Sequence, residues 1–79
     1  MKIRVDVMLK EGVLDPQGKA IGHALATLGF NGVNDVRAGK VIELDVNETD
    51  TGKAKETARQ MAEKLLANQV IEDYRVSVL

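Results

Sequence analysis

The sequence predicts an α+β sandwich built from one domain, with the element order β-α-β-β-α-β. Hydrophobic residues repeat at every second position in four short segments and at every third or fourth position in two longer ones, which are the periods of strands and helices. Residues that cap helices or form turns separate these segments. The chain has 79 residues, of which 44% are hydrophobic, enough for one small core. No linker divides it, so we interpret residues 1–79 as a single domain.

The first predicted strand covers residues 2–10. Its apolar and polar positions alternate, with Ile3, Val5, Val7 and Leu9 on one side and Lys2, Arg4, Asp6, Met8 and Lys10 on the other. An alternation of this length is typical of a strand with one buried face.

The loop after this strand, residues 10–18, carries a strong signal for a helix start. Asp15 is a good N-cap, and Pro16 suits the first helical position because the amide that it lacks has no partner there. Gly18 is unexpected in the first turn, where alanine would stabilise the helix by about 1 kcal/mol.

The first predicted helix covers residues 16–28. Its apolar stripe has helical spacing and consists of Ile21, Ala24, Leu25 and Leu28. Gly29 suits the left-handed position that follows many helices, and Phe30 could then pack back on Leu25 in a Schellman ending.

A hairpin is predicted next, with strands at residues 33–37 and 40–46 joined by a turn at Ala38 and Gly39. Its second strand alternates between an inward set, Ile42, Leu44 and Val46, and an outward set, Val41, Glu43 and Asp45.

The second predicted helix covers about residues 51–67, with N-cap candidates at Thr49, Asp50 and Thr51. Its apolar stripe consists of Ala54, Ala58, Met61, Ala62, Leu65 and Leu66. Residues 71–79 return to the strand period, with Tyr74, Val76 and Val78 on one side.

This order predicts a ferredoxin-like βαββαβ sandwich, a four-stranded antiparallel sheet with both helices on one face. The other face would be open and chemically mixed, with Arg4, Asp6, Met8, Val41, Glu43, Arg75, Ser77 and Leu79. Scattered exposed apolar residues are normal on monomers. Because the core is small, we favour a homo-oligomer interface that includes Met8, Val41 and Leu79.

The composition excludes most catalytic chemistry. The chain has no Cys, one His and a net charge of −1, so we predict no metal site and no catalytic triad. No phosphate-binding loop or dinucleotide motif is present, so no catalytic or cofactor-binding residue is predicted. Two aromatic residues and a balanced charge argue against nucleic-acid binding. No apolar run is long enough for a membrane span, and we expect a cytoplasmic protein.

Three segments carry a family resemblance: residues 9–21, which contain the run Lys-Glu-Gly-Val-Leu-Asp-Pro-Gln-Gly, residues 35–44, and residues 63–74. Together they resemble PurS, the small subunit of phosphoribosylformylglycinamidine (FGAM) synthase in bacteria and archaea. The resemblance spans nearly the whole chain. One departure is Gln69, where the family commonly has Pro.

The resemblance implies a role in de novo purine biosynthesis, in which the enzyme converts formylglycinamide ribonucleotide, ATP and glutamine to formylglycinamidine ribonucleotide. ATP and Mg²⁺ are then expected on the large synthetase subunit, PurL, and the glutaminase subunit, PurQ, releases ammonia. The chain itself would be non-catalytic and would bind no cofactor. It would form a homodimer or homotetramer, bridge the two partners and support ammonia transfer between their sites.

Exposed positions in the recurring segments are the candidates for partner contact: Asp15, Gln17, Gly18, Arg37, Gly39 and Lys40. For Gln17 and Gly18 the resemblance implies an exposed turn whose bare backbone another subunit could approach closely. An alternative from a different class is an ACT-like regulatory domain that binds a small amino acid, because such domains also enter their first helix through a loop with Gly and Pro. A stand-alone enzyme is the least favoured interpretation.

Overall fold

A computed structural model describes all 79 residues. The elements are β1 (Lys2–Leu9), α1 (Pro16–Thr27), β2 (Gly39–Asp45), α2 (Thr51–Met61) with a π-helical turn (Ala62–Leu66), and β3 (Glu72–Val78). Neither helix is both long enough and apolar enough to span a bilayer.

The strands form one antiparallel sheet in the order β2-β1-β3. Val5 of β1 lies opposite Ile42 of β2 and Val76 of β3, so the apolar positions of all three strands share one face. The α+β class and this alternation are confirmed, but the predicted four-stranded sheet is wrong, since residues 33–37 form no strand.

The segment predicted as this strand, residues 33–37, packs along α1 instead of joining the sheet. The Ala38 N–H donates to the Asp15 carboxylate at 2.9 Å, and the Arg37 side chain donates to the Leu9 carbonyl. The Val36 carbonyl lies directly against the backbone of Gly18. These contacts with α1 and β1 hold the end of the segment at α1, and the outer edge of β2 remains unpaired.

The core lies between α2 and the sheet. Ile3, Val5 and Val7 are the largest fully buried side chains. They pack against the stripe of small side chains on α2. The whole buried cluster consists of Ile3, Val5, Val7, Ala54, Ala58, Ala62 and Ala67. Alanine at these helix positions lets α2 approach the sheet closely. No residue of α1 belongs to this core or packs against it, so the prediction that both helices cover the sheet is wrong for α1.

The end of α2 differs from the predicted regular helix. Asp50 caps its start by accepting from the Lys53 N–H at 2.9 Å, as expected for an N-cap. At the other end the Ala67 N–H donates to the Ala62 carbonyl, the spacing of a π-helical turn. Leu65 is 84% exposed and Met61 is 38% exposed, so these two members of the predicted apolar stripe lie outside the core.

The chain is elongated because α1 projects from the sheet. Its radius of gyration is 15.8 Å and its longest extent is 48 Å, whereas a compact chain of this length has a radius of about 12 Å. We call residues 10–38 the arm. The arm leaves and rejoins the sheet at the same end, since Met8 pairs with Gly39.

The predicted ending of α1 is confirmed. Gly29 has φ of 98°, a left-handed conformation that favours glycine. The Phe30 N–H then donates to the Leu25 carbonyl at 2.9 Å, the 6→1 bond of a Schellman motif.

Candidate functional site

The residues predicted for partner contact gather at the base of the arm, where both of its ends meet the sheet. Asp15 and Gln17 lie at the start of α1, and Arg37, Gly39 and Lys40 lie where the chain enters β2. Gln17, Asp15, Gly39 and Lys40 line one shallow hollow at this base. Two sequence-distant segments of the prediction, the start of α1 and the start of β2, therefore meet at the base of the arm.

Asp15 holds the base of the arm together. Its Oδ1 accepts from the Gly18 N–H at 2.9 Å, and its Oδ2 accepts from the Ala38 N–H at 2.9 Å. One carboxylate thus caps α1 and also fixes the returning chain. Sequence analysis identified the first bond but not the second, because nothing in the local pattern indicates that Ala38 returns to this point.

These two bonds lower the pKa of the Asp15 carboxyl below its ordinary value, with the Gly18 and Ala38 amides as the main causes and the Arg37 charge as a smaller one. Partial burial opposes the shift only in part. A lowered folded-state pKa means that Asp15 stabilises the fold above its unfolded pKa of about 3.9, and that this contribution is lost as pH falls through the folded-state value.

We expect Asp15→Asn to weaken the acid dependence of stability. An amide offers one acceptor oxygen and cannot ionise, so one of the two bonds is lost at neutral pH. The urea midpoint of the wild type should exceed that of Asp15→Asn at pH 6, and the gap should narrow below about pH 4.

Urea titrations at several pH values and a fixed protein concentration measure this gap. Glu11→Gln removes an exposed carboxylate in the same loop and is the control, for which we expect the acid dependence of the wild type. A gap that stays constant between pH 6 and pH 3 would show that ionised Asp15 does not act as described.

Gly18 does not lie in the exposed turn that the family resemblance implied. It is the buried residue of α1. A Cβ built there would lie 2.9 Å from Asp15 Oδ2 and 3.0 Å from the Val36 carbonyl carbon. The glycine therefore admits the chain's own returning segment, and it offers no open backbone to another molecule.

Gly39 has a comparable internal role, since a Cβ there would lie 2.5 Å from the Val7 carbonyl oxygen and against the Met8 side chain. Gly39 is nevertheless exposed, and so are the side chains of Gln17, Arg37 and Lys40. These three side chains are the part of the predicted set that a partner could touch.

A second open groove lies on the other side of the base and has mixed charge. Lys10, Lys19 and Arg37 line it together with Glu11 and Asp35. No group of three or more His, Asp or Glu side chains is arranged to hold a metal ion. Charged side chains of both signs therefore lie together in this groove.

The residues predicted for a homo-oligomer interface lie on the sheet face opposite α2. Val41 is 52% exposed and Leu79 is 61% exposed, while Met8 is half-buried. Met8 and Val41 lie near the arm, and Leu79, next to Lys2, lies at the far end of the sheet. This face of the sheet is therefore uncovered in the single chain, but its apolar residues are dispersed.

Sequence analysis missed the larger apolar surface, which lies on the arm. Leu28 is 72% exposed, Phe30 59% and Val33 44%. The helical stripe of α1 was recognised, but its burial against the sheet was assumed. Periodicity shows which side of a helix is apolar and does not show what covers it.

Comparison with known proteins gives one consistent result. A family model described as PurS, phosphoribosylformylglycinamidine (FGAM) synthase, matches residues 2–79. The PurS subunit of Bacillus subtilis is 52% identical over 77 residues, which cover 98% of this chain and 90% of that protein. The PurS subunit of Methanocaldococcus jannaschii is 44% identical, with coverage of 98% and 93%.

Solved structures agree. Bacillus subtilis PurS in a C2 crystal form superposes with a TM-score of 0.85 at 51% identity, covering 96% of this chain and 94% of that one. A structure of PurLQS from Thermotoga maritima contains a chain with a TM-score of 0.89 at 36% identity, covering 99% and 95%. Scores this high over nearly the full length include the arm in its projecting position.

Proposed function

Since this chain belongs to the PurS family of FGAM synthase subunits, we propose that it acts by holding the catalytic subunits of that complex together. It is a non-catalytic subunit of a multi-subunit ligase. The observation that supports this most strongly is its similarity, over almost its full length, to a chain of a PurLQS assembly. Nothing in the fold or in these relatives favours the ACT-like alternative.

The proposed partners are a glutaminase subunit, PurQ, and a synthetase subunit, PurL, together with further copies of this chain. We place ATP, Mg²⁺ and the nucleotide on the synthetase subunit, and we assign no cofactor to this chain. The reaction proposed for the complex is the conversion of formylglycinamide ribonucleotide, ATP and glutamine to formylglycinamidine ribonucleotide in the cytoplasm.

The physical need for such a subunit is containment. Ammonia released at a glutaminase site is protonated and diluted in water unless the second site is held close and in register. A small elongated subunit with polar surface at the base of its arm can contact two proteins at once. We therefore propose that it bridges the glutaminase and synthetase and supports ammonia transfer between them.

The proposed contact residues at the base of the arm are Gln17, Arg37 and Lys40. Asp15, Gly18 and Gly39 support this surface from within, through the contacts described above. The charges of Arg37 and Lys40 are suited to carboxylates on a partner, because the desolvated centre of an interface favours paired over single charges.

We expect Lys40→Glu to weaken assembly by about tenfold or more, because it places a like charge against a partner carboxylate. The reconstituted complex should need a higher concentration of this subunit for half-maximal glutamine-dependent turnover. Titration of the variant into the other two subunits measures this concentration, and co-elution on a sizing column measures binding directly.

Lys53→Glu makes the same charge change on the exposed surface of α2 and is the matched control, expected to behave as the wild type. Arg37→Lys tests the second contact while keeping the charge. Unchanged half-maximal concentration and co-elution for Lys40→Glu would remove the base of the arm from the interface, although the family assignment would stand.

A further inference from the structure

The turn after α1 contains an asparagine followed directly by a glycine, Asn31 and Gly32, and both residues are exposed. The other three asparagines of the chain precede Asp35, Glu48 and Gln69. The backbone nitrogen of the residue after an asparagine can attack the side-chain amide carbon, and a glycine there has no side chain to obstruct the attack. The pair is therefore a candidate site of chemical modification.

The backbone around this pair is not tied to the rest of the chain. The Phe30 N–H is bound to the Leu25 carbonyl, but no backbone N–H or carbonyl of residues 31–35 takes part in a backbone hydrogen bond. The Gly32 nitrogen, which would be the attacking atom, donates to nothing within the chain. Hydrogen bonds therefore do not hold the two reacting groups apart.

The pair is also not locked in a hairpin turn, the setting in which Asn-Gly is most often rigid. Such a turn requires positive φ at both residues, and neither Asn31 nor Gly32 has one. No strand adjoins the pair, since α1 ends at Thr27 and β2 begins at Gly39. A Cβ built at Gly32 would meet nothing within 4 Å. The backbone thus has room to rotate into the geometry of attack.

We propose that Asn31 is a site of spontaneous deamidation. The Gly32 nitrogen gives up its proton to water and bonds to Cγ of Asn31, and the Cγ–Nδ2 bond breaks as the amide nitrogen takes up a proton and leaves as ammonia. The product is a five-membered succinimide. Water then opens the ring at either carbonyl carbon and leaves aspartate or isoaspartate. One water is consumed and one ammonia is released, without an oxidant, a metal or a second enzyme.

The modification would change the chemical character of the arm at its outer end. It adds a negative charge to a chain of net charge −1, beside the exposed apolar side chains of Leu28, Phe30 and Val33. Any apolar partner surface would then have to desolvate a carboxylate, which is costly unless the carboxylate is paired. Aged chains would therefore differ from new ones at this end of the arm, whether or not the chain bridges two catalytic subunits.

Incubation of the full chain at mildly alkaline pH and physiological temperature tests the proposal. Trypsin then releases residues 20–37 as one peptide with both Asn31 and Asn34, and fragmentation in a mass spectrometer assigns each gain of one mass unit to a residue. We expect Asn31 to react at least about tenfold faster than Asn34, which is also exposed but precedes Asp35. A digest at time zero gives the background. Equal rates at the two positions, or an unmodified Asn31, would overturn the proposal.

Two substitutions test which atom attacks. Gly32→Ala has open space for its Cβ, so the urea midpoint should stay that of the wild type while deamidation at Asn31 slows by about tenfold or more. Asp35→Gly is the converse change, since it places a glycine after Asn34 in the same unbonded segment, and Asn34 should then react nearly as fast as Asn31. Unchanged rates in both variants would contradict attack by the backbone nitrogen.

The products identify the route. Opening of the ring at either carbonyl predicts a mixture of isoaspartate and aspartate, which fragmentation distinguishes. Reaction in water enriched in heavy oxygen should place one heavy oxygen in each product. Aspartate without isoaspartate would indicate direct hydrolysis of the side-chain amide and would overturn the succinimide route.

Discussion

Replacing Gly18 by alanine is expected to destabilise the chain by about 1–3 kcal/mol, the usual cost of forcing an extra carbon into a packed site. Alanine is the better helix former, so propensity alone predicts a gain of about 1 kcal/mol. Steric contact decides whether the chain gains or loses stability, because the new Cβ would lie 2.9 Å from Asp15 Oδ2 and 3.0 Å from the Val36 carbonyl carbon. The Val36 carbonyl is backbone and cannot move without displacing the bond from Ala38 to Asp15.

Gly22→Ala is the matched control on the same helix, one turn later. A Cβ there would meet only Val36 Cγ2, at 3.4 Å, which is ordinary contact with a side chain. We expect this variant to be neutral or more stable by about 0.5–1 kcal/mol. Urea midpoints of the two variants measure the difference. A Gly18→Ala chain as stable as Gly22→Ala would contradict the close packing at the base of the arm.

Replacing Ile3 by alanine is expected to cost about 2–5 kcal/mol, the range for removing a fully buried aliphatic side chain. Ile3 is fully buried and packs in the small cluster between the sheet and α2. A chain of this length has a total stability of only about 4–12 kcal/mol. We therefore expect a large fall in melting temperature and partial unfolding at 37 °C.

Ile71→Ala removes the same atoms from a residue that is 39% exposed and lies outside the strands. Its expected cost is below that of Ile3→Ala, since less apolar surface leaves water when this residue folds. Thermal denaturation at one fixed protein concentration compares the two. Similar losses for both variants would mean that the core between α2 and the sheet does not dominate stability.

The elements of this protein were predictable because each depends on local pattern. The alternation in β1, the Asp15 and Asp50 caps and the Gly29 ending appear in the structure as the sequence indicated. The strand expected at residues 33–37 is absent. Its sequence pattern is too short to show whether the segment pairs with β2 or packs along α1, so the prediction failed there. That choice depends on Asp15 and Gly18, which lie far away in the sequence.

The candidate site was likewise predicted only in part from the sequence. Sequence resemblance placed Gln17, Arg37 and Lys40 in one functional set. The structure brings Gln17 and Lys40 to one hollow at the base of the arm and places Arg37 in the groove on its other side. It also gives Asp15 and Gly18 an internal role that the sequence did not indicate. The sequence signal for that role is Gly18 itself, a glycine at a position where the helix favours alanine.

The sequence by itself determined the family, the helices and three of the strands. The tertiary structure decided the direction of the arm, the unpaired edge of β2 and the exposure of the α1 stripe. The physical reason is that periodicity and capping are properties of neighbouring residues, whereas the covering of an apolar face depends on distant contacts. Here those contacts are one carboxylate that binds two amides and one glycine that admits a carbonyl.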